Sequence, residues 1–521
     1  MATTAKTTTG PGGDAEDRIV VRCPADGHLV GEVPVQTTDE VRAIADRLRA
    51  AQPAWEALGF AGRARWLGLW RDWFLDNGER LAGIVQEETG KSWNDAGVEA
   101  PTAVEVINYY AEHGEAFLRT EHPKPHTKAM AIKQLSLEYS PHRLVGVISP
   151  WNAPVGVPAF DVPGALMAGS AVLTKSSEWT PLAWEEVVRG WNEDLGAPAV
   201  LGSVTGAGET GAAVVDVVDF LQFTGSAHTG RRIAARCGER LIPCSLELGG
   251  KDAMIVLADA DLERAASGAV WGGFFNAGQI CVSVERLYVE DAVHDAFVAL
   301  VTEKVAALRV GMETGQDIAY DYGAMANEAQ IDIVDRHVAD ARDKGARVLA
   351  GGARRPGQGL FYEPTVLVDV DHGMDCMREE TFGPTLPIMR VADEAEAIAR
   401  ANDSEYGLSA SVWTTDRARG ERVASALNAG GVNINDMYIN MFQMPLPQGG
   451  WGASGIGGRL GGAAGIRKFC RERAVVRARV APKTEIQWYP ASNRSAGIQG
   501  RATRFLGARD WRRKLGLKPR P

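Results

Sequence analysis

Apolar side chains recur at three- and four-residue spacing over residues 38–58, 61–77, 291–308 and 326–344, the period of a helix with one buried face. Between them lie short β-rich runs without alternation, at residues 145–149, 171–174, 220–223, 253–256 and 286–289. Each reads as a strand buried on both sides. Strands separated by helices need crossover connections, so the pattern predicts an α/β protein built on parallel sheets. Residues 133–139 and 474–480 alternate polar and apolar instead, as half-exposed strands do. Paired, they would form a projecting arm whose open edge another subunit would ordinarily cover, so an oligomer is expected.

The most apolar segment, residues 153–173, is about long enough to span a bilayer. Pro154, Pro158, Pro163 and Asp161 interrupt it, and a transmembrane helix is not expected. The glycine-rich stretch 449–465 carries Trp451, Ile456 and Arg459, which marks a shaped loop rather than low complexity. At 521 residues, 45% hydrophobic and 23% charged, the chain exceeds one core and predicts two or three sub-domains. Residues 1–18 are rich in Thr, Gly and Ala without an apolar run for export, and read as a disordered tail on a cytoplasmic protein.

Charge is unevenly placed. The net charge is −10, yet residues 501–521 carry +7, which leaves −17 on the other 500. That acidic body excludes a nucleic-acid-binding surface across the main fold. The basic end interleaves its cations with Phe505, Leu506, Trp511, Leu515 and Leu517. Docking on a neighbouring subunit or a loose end is the favoured reading over contact with an anionic membrane, because one short basic stretch anchors weakly. Cys23, Cys237, Cys244, Cys281, Cys376 and Cys470 show no paired spacing, which suits free thiols in a reducing compartment. The nine histidines match no metal motif, and no metal is expected.

Two side chains carry candidate chemistry. Cys281 closes the run Gly278-Gln279-Ile280-Cys281, and Glu247 opens Glu247-Leu248-Gly249-Gly250-Lys251. A thiol nucleophile and a carboxylate base are the groups that make and then hydrolyse a thioester. A lone cysteine is more often a small buried hydrophobe, so its neighbours decide. The run Gly225 to Gly230 follows a strand pattern and opens a helix. Its backbone N–H groups and the Ser226 hydroxyl could meet a phosphate, although a plain strand-to-helix turn would look the same. Lys175-Ser176-Ser177-Glu178 sets a cation and a carboxylate just past another strand, where ligands of α/β folds sit. Glu178 would accept both hydroxyls of a ribose and repel a 2′-phosphate, which favours NAD without excluding NADP.

Taken in order, Ser149-Pro150-Trp151-Asn152, Lys175-Ser176-Ser177-Glu178, Gly225 to Gly230, Glu247-Leu248-Gly249-Gly250-Lys251, Gly278-Gln279-Ile280-Cys281 and Glu379-Glu380-Thr381-Phe382-Gly383-Pro384 closely resemble the NAD(P)-dependent aldehyde dehydrogenase superfamily. The resemblance covers residues 20–480. It implies a Rossmann-type dinucleotide-binding domain (residues 19–122 and 143–248) and an α/β catalytic domain (249–465). A small β oligomerisation arm (123–142 and 466–482) and a basic extension (483–521) complete the chain, in a homodimer or homotetramer. The implied reaction oxidises a small-molecule aldehyde to a carboxylic acid through a thiohemiacetal and a thioester on Cys281, with water as final acyl acceptor. Glu247 would be the general base, and Asn152 an oxyanion donor beside the backbone N–H of Cys281. Around the cofactor the resemblance sets Ser149, Pro150 and Trp151, with Lys175, Ser177 and Glu178 at the adenosine ribose. Gly225, Ser226 and Gly230 would lie at the pyrophosphate, with Leu248, Gly249, Glu380 and Phe382 toward the nicotinamide. Ala153, Val157, Phe160, Phe275, Ile280, Val282 and Gln448 would surround the aldehyde.

Departures from the family pattern carry information. Lys-Ser-Ser-Glu replaces the usual Lys-Pro-Ser-Glu. Ala153 stands where many members carry a large aromatic, which predicts a wider tunnel for a bulky or branched aldehyde. Pro447-Gln448-Gly449-Gly450 replaces Pro-Phe-Gly-Gly, and Gly458-Arg459-Leu460-Gly461 only partly keeps Gly-Arg-x-x-Gly. Met437, Tyr438, Met441, Phe442 and Gln448 would then define specificity. The whole is most similar to bacterial succinate-semialdehyde dehydrogenases of the actinobacterial type, yet no arginine of this loop is clearly placed for a substrate carboxylate. Two alternatives remain, a non-catalytic nucleotide-binding homologue and a membrane-peripheral oxidiser of lipid-derived aldehydes.

Overall fold

The computed structural model describes residues 18–127, 130–457, 460–485 and 488–517. Residues 1–17 of the expected tail, Gly458 and Arg459 of the glycine-rich loop, and Lys518 and Arg520 of the basic end lie outside the described residues. The chain divides into two units, Met1–Phe117 with Pro141–Phe469, and Leu118–Ser140 with Cys470–Pro521.

In the first unit, strands Leu201–Val204, Ala171–Lys175, Leu144–Ile148, Phe220–Thr224 and Cys244–Glu247 lie side by side in that order, all parallel. Their Val, Leu and Phe runs lack polar alternation because helices cover both faces; the three central strands are buried at every position. The chain builds outward from Leu144–Ile148 and then crosses back to add Phe220–Thr224 on its other side. Loops leaving these two carboxyl ends therefore diverge and open a crevice, the usual ligand position of such sheets. The short strand Gly455–Ile456 closes one edge antiparallel to Cys244–Glu247.

A second sheet of seven strands runs from Arg347–Ala350 through Thr365–Val368, Thr385–Val391, Val284–Glu290, Asp252–Val256 and Ser409–Trp413 to Gly431–Ile434. All neighbours are parallel except Arg347–Ala350 at the edge. Alternate residues of Asp252–Val256 feed two cores. Met254 and Val256 pack with helices Leu262–Phe274 and Asp291–Ala306, whereas Ala253 and Ile255 pack with Glu394–Asn402 and Arg417–Ala426.

Three of the four expected helices occur within two residues of their expected ends, as Thr38–Ala57, Asp291–Ala306 and Glu328–Asp343. The fourth is longer. Expected over 61–77, it spans Gly59–Thr89, because Gly78 does not stop it. A side chain there would make only ordinary contact with Ala100 at 3.8 Å, and one glycine costs a helix interior about 1 kcal/mol, too little to end it. The helix ends instead at Gly90, whose φ of 72° is the left-handed cap that glycine adopts freely. The apolar segment 153–173 becomes the buried helix Gly156–Ala168 and the start of strand Ala171–Lys175. No helix of the described residues is long and apolar enough to cross a membrane.

In the second unit, Lys133–Pro141 pairs with Cys470–Ala478 in a two-stranded sheet, as the alternating patterns predicted. Helices Asn493–Gly507 and Trp511–Lys514 follow with no buried residue. Phe505, Leu506, Trp511, Leu515 and Leu517 stand exposed among the arginines.

Candidate active site

Cys281 is delivered by a strained turn. Helix Leu262–Phe274 gives way to Asn276, Ala277 and Gly278 with φ of 54°, 55° and 72°. Left-handed backbone costs the two non-glycine residues about 1–2 kcal/mol each, so neighbours must hold it. Asp95 accepts the Asn276 N–H at 3.1 Å. The Asn276 amide donates to the carbonyls of Asn152 and Gln279 at 3.1 and 3.2 Å. Gln279 is 2% exposed; it donates to the carbonyls of Asn276 and Ala324 and accepts from the Ala326 N–H. The Gly-Gln pair ahead of the cysteine is thus scaffolding, glycine for the turn and glutamine for its brace.

The half-exposed Cys281 and the buried Glu247 line one pocket of about 370 Å³, counting space open to solvent. Glu247 ends the strand Cys244–Glu247, whose carbonyl there accepts the Gly225 N–H at 3.0 Å. Phe160, Val282, Gln448 and Met441 reach the same pocket, as the sequence suggested. Ala153, Val157, Phe275 and Ile280 are not among its lining. The Ala153 carbonyl accepts the Val157 N–H as the helix begins. Phe275 packs against Trp271 and Tyr438, and Ile280 joins the core. Met437 and Tyr438 are buried too, with the Tyr438 hydroxyl donating to the Gly272 carbonyl.

Leu408, Ser409, Asn440 and Leu460 also line the pocket and escaped the sequence reading. Asn440 lies inside the flagged loop but was passed over for its apolar neighbours; Asn433 donates to its side-chain oxygen at 2.7 Å. Leu408 and Ser409 begin a buried strand, and nothing in their pattern separates them from core. Asn152 is 6% exposed, its amide donates to the Gln279 carbonyl at 2.9 Å, and it is not among the pocket lining. A side-chain amide carries a second N–H.

The expected nucleotide residues gather at the carboxyl ends of the first sheet. Ser149 leaves its strand with its N–H on the Lys175 carbonyl at 3.1 Å, and Pro150 and Trp151 follow. The Lys175 ammonium is buried 3.2 Å from the 39%-exposed Glu178 carboxylate; burial pulls its pKa below the usual lysine value. The Ser177 hydroxyl accepts the Trp179 N–H at 3.3 Å. Ser226 follows Gly225 and caps helix Ala227–Arg240 by accepting the Thr229 N–H at 3.3 Å, so its hydroxyl serves the helix. Gly230 packs so closely that a side chain would come within 2.5 Å of Leu248. Gly249 leaves the same kind of gap under Glu380, 2.2 Å from its carboxylate. That carboxylate accepts the Gly250 N–H at 3.0 Å, and burial, with Glu285 nearby, raises it to about 8. Trp151 and Phe382 meet edge to face at 5.5 Å.

A dinucleotide fits this set. A helix N-terminus at Ser226 and a half-exposed carboxylate at Glu178 follow strands of the first sheet at their carboxyl ends, where such sheets bind nucleotides, and Trp151 and Phe382 add an aromatic pair. Two metal-competent clusters occur among the described residues, Cys23 with Asp26 and His28, and His337 with Asp375 and Glu379. Neither includes a residue of the pocket lining. Arg336 and Lys344 already neutralise the carboxylates of the second.

Residues 12–475 match the model of the aldehyde dehydrogenase family. A Mycobacterium ulcerans protein with the provisional name succinate-semialdehyde dehydrogenase (NADP(+)) 2 is 42% identical over 87% of each chain. The 4,4′-diapolycopene aldehyde oxidase of a Methylomonas species is 39% identical over 90% of this chain and 87% of its own. Among solved structures, the NAD-dependent aldehyde dehydrogenase of Sinorhizobium meliloti superposes with a TM-score of 0.86. It is 31% identical and covers 92% of this chain and 95% of that one. The fold, the pocket shared by Cys281 and Glu247, and these similarities lead to one conclusion: the chain belongs to the aldehyde dehydrogenase family.

Proposed function

We propose that this NAD(P)-dependent aldehyde dehydrogenase works through Cys281 as nucleophile and Glu247 as base, on a neutral, bulky aldehyde. The observation that carries the reading is that thiol and carboxylate line one pocket. The Cys281 thiolate adds to the aldehyde carbon, and the carbonyl oxygen takes the negative charge. The backbone N–H of Cys281 and the second N–H of Asn152 stabilise that oxygen; losing one such donor costs about 10²-fold or more in rate. A dinucleotide held by Trp151, Glu380 and Phe382 would supply the acceptor for the hydride leaving that carbon, and Cys281 would then carry a thioester. Glu247 then takes a proton from water as the oxygen attacks the acyl carbon, the C–S bond breaks, and acid and thiolate separate.

Cofactor contacts fall to Trp151, Glu380 and Phe382 at the nicotinamide end and to Lys175 and Glu178 at the adenosine end. The Glu178 carboxylate disfavours a 2′-phosphate, so NAD is the preferred form. The pocket supports the bulkier of the two substrate readings. Its described lining is apolar at Phe160, Val282, Leu408, Met441 and Leu460 and neutral-polar at Ser409, Asn440 and Gln448, with Glu247 the one charged side chain. Among the described lining residues a substrate carboxylate would meet the like charge of Glu247 and no cation, which is costly in a partly desolvated site. The working protein is a homodimer or homotetramer, and its six free cysteines suit the cytoplasm.

The test is NADH formation across succinate semialdehyde, butanal and long or branched neutral aldehydes, with Cys281→Ala as control. Turnover surviving in the Ala variant rejects the nucleophile. A clear preference for succinate semialdehyde rejects the neutral substrate alone.

A further inference from the structure

Four ionisable side chains are buried together where helices Gly59–Thr89, Trp93–Ala96 and Glu99–Leu118 meet. Glu88, Lys91, Asp95 and Glu99 are exposed by 1%, 4%, 1% and 3%. Three carboxylates thus share one ammonium in the interior, an arrangement whose desolvation is costly. Each carboxylate also holds the backbone of a distant segment. Glu88 accepts the N–H groups of Leu182 and Ala183 at 2.7 and 3.1 Å. Glu99, 2.5 Å from Lys91, accepts those of Val155 and Gly156 at 2.8 and 2.9 Å, three and four residues after Asn152. Asp95 accepts that of Asn276 at 3.1 Å, the first left-handed residue before Cys281.

The two grips close a ring. Asn276 donates to the Asn152 carbonyl, and both Asn152 and Asn276 donate to the Gln279 carbonyl. Glu99 therefore fixes the segment of Asn152, Asp95 fixes the turn of Cys281, and the Lys91 ammonium pairs with Glu99 and offsets the charge of Asp95. We propose that Asp95 is a positioning residue for the reaction, whose ionised carboxylate, supported by Lys91, holds the strained turn that aims Cys281 and Asn152 at the aldehyde. The inference rests on the reading of Cys281 as nucleophile. Burial raises Asp95 to about 7, with Lys91 and the Asn276 N–H opposing the rise. The charged group acting on it is Lys91, which also acts on Glu88 and pairs with Glu99; toward the turn it accepts the Asn276 N–H. Above neutrality Asp95 is ionised and grips the turn; below it the carboxyl is neutral and the grip slackens.

Asp95→Asn and Asp95→Ala test this against wild type from pH 6 to 9. The Asn variant keeps an acceptor and loses the titration; the Ala variant loses both. Displacement of a nucleophile by about 1 Å can cost about 10² in rate. The expected result is a kcat fall of about tenfold in the Asn variant and about a hundredfold in the Ala variant, with KM for NAD unchanged. The acid-side fall of kcat near pH 7 should also vanish from the Asn profile. Iodoacetamide labelling of Cys281, read by peptide mass, should lose the same pH step, and this readout needs no turnover. If the Ala variant fails to fold, the Asn profile and its labelling carry the test. An Asn variant with wild-type kcat and an unchanged profile overturns the proposal. Should Cys281→Ala stay active, the nucleophile reading falls instead, and the two failures are distinct.

Discussion

Lys251 Nζ lies 2.5 Å from Glu285 Oε2 with both side chains buried, and the two oxygens of that carboxylate also accept the N–H groups of Thr381 and Phe382 at 2.7 and 2.8 Å. One ion pair thereby fixes the segment that carries Glu380 and Phe382 over the end of the first sheet. Phe382 has a φ of 51°, a strained value that two hydrogen bonds from one side chain make tolerable. Glu285→Ala leaves the Lys251 ammonium buried without its paired carboxylate, the Thr381 hydroxyl still 3.1 Å away, which costs about 3–5 kcal/mol. The denaturation midpoint should drop accordingly, and NAD titrated by protein fluorescence should bind more weakly. An unchanged midpoint would show that the pair does not brace the segment.

Glu247→Gln separates the two halves of the reaction. The thiol can still attack and release hydride, so a rapid-mixing trace should show a burst of about one NADH per site. Turnover should then stall, because general-base help of about 10²–10⁴-fold is lost. A variant without a burst would shift the carboxylate's task to the first half.

Much of this was legible in the residues. Buried strands announced themselves as unbroken Val, Leu and Phe runs, and all five expected runs fall in the two sheets. Gly230 and Gly249, expected beside the cofactor, also leave room for Leu248 and Glu380, approaches the sequence did not indicate. Other features needed three dimensions. The helix expected over 61–77 runs on to Thr89 because Leu81, Ala82 and Val85 bury its face beyond Gly78, which outweighs the cost of about 1 kcal/mol for one interior glycine. The brace on the turn before Cys281 comes from Asp95, 181 residues upstream of the Asn276 it holds, and an acidic residue on a short helix carries no local sign of such a duty. The pocket also takes Ser409 and Asn440 from segments whose pattern reads as strand start and loop packing.

Glu178 sets the expected cofactor preference. Its carboxylate pairs with Lys175 at 3.2 Å, so in Glu178→Gln the ammonium loses its anion and a 2′-phosphate loses its repulsion. Both changes favour NADP. The ratio of kcat/KM for NADP over NAD should rise about tenfold or more, equivalent to about 1.4 kcal/mol. A ratio that stays put would mean the adenosine ribose lies elsewhere.

Stability should decline as pH rises from about 5 to about 8.5, opposite to a protein held by exposed ion pairs. Burial raises Glu88 to about 8 and Asp95 to about 7, whereas the unfolded chain releases these protons near pH 4. Between those limits the native state holds protons the unfolded state has lost, so the slope of unfolding free energy with pH is negative. The contribution is complete below the unfolded pKa and gone above the folded one. Thermal midpoints across this range should fall for the wild type and fall less steeply for Glu88→Gln. Parallel slopes would mean that Glu88 does not titrate there.

Two glycine-to-alanine changes should have opposite signs, and the contrast isolates the catalytic turn. Gly83 sits inside helix Gly59–Thr89 with nothing within 4 Å of an added methyl, so alanine should stabilise by about 0.5–1 kcal/mol through backbone entropy. Gly278 has a φ of 72°, and its added methyl would lie 2.2 Å from the Gly383 carbonyl. No rotamer relieves a clash with backbone, so either the turn or the Gly383 segment must move. The first displaces Cys281 and the second displaces Phe382, its sequence neighbour. Gly278→Ala should therefore lose at least about 10² in kcat, while Gly83→Ala keeps full activity with a higher midpoint. Equal behaviour of the two would show that the left-handed turn does not set the position of the thiol.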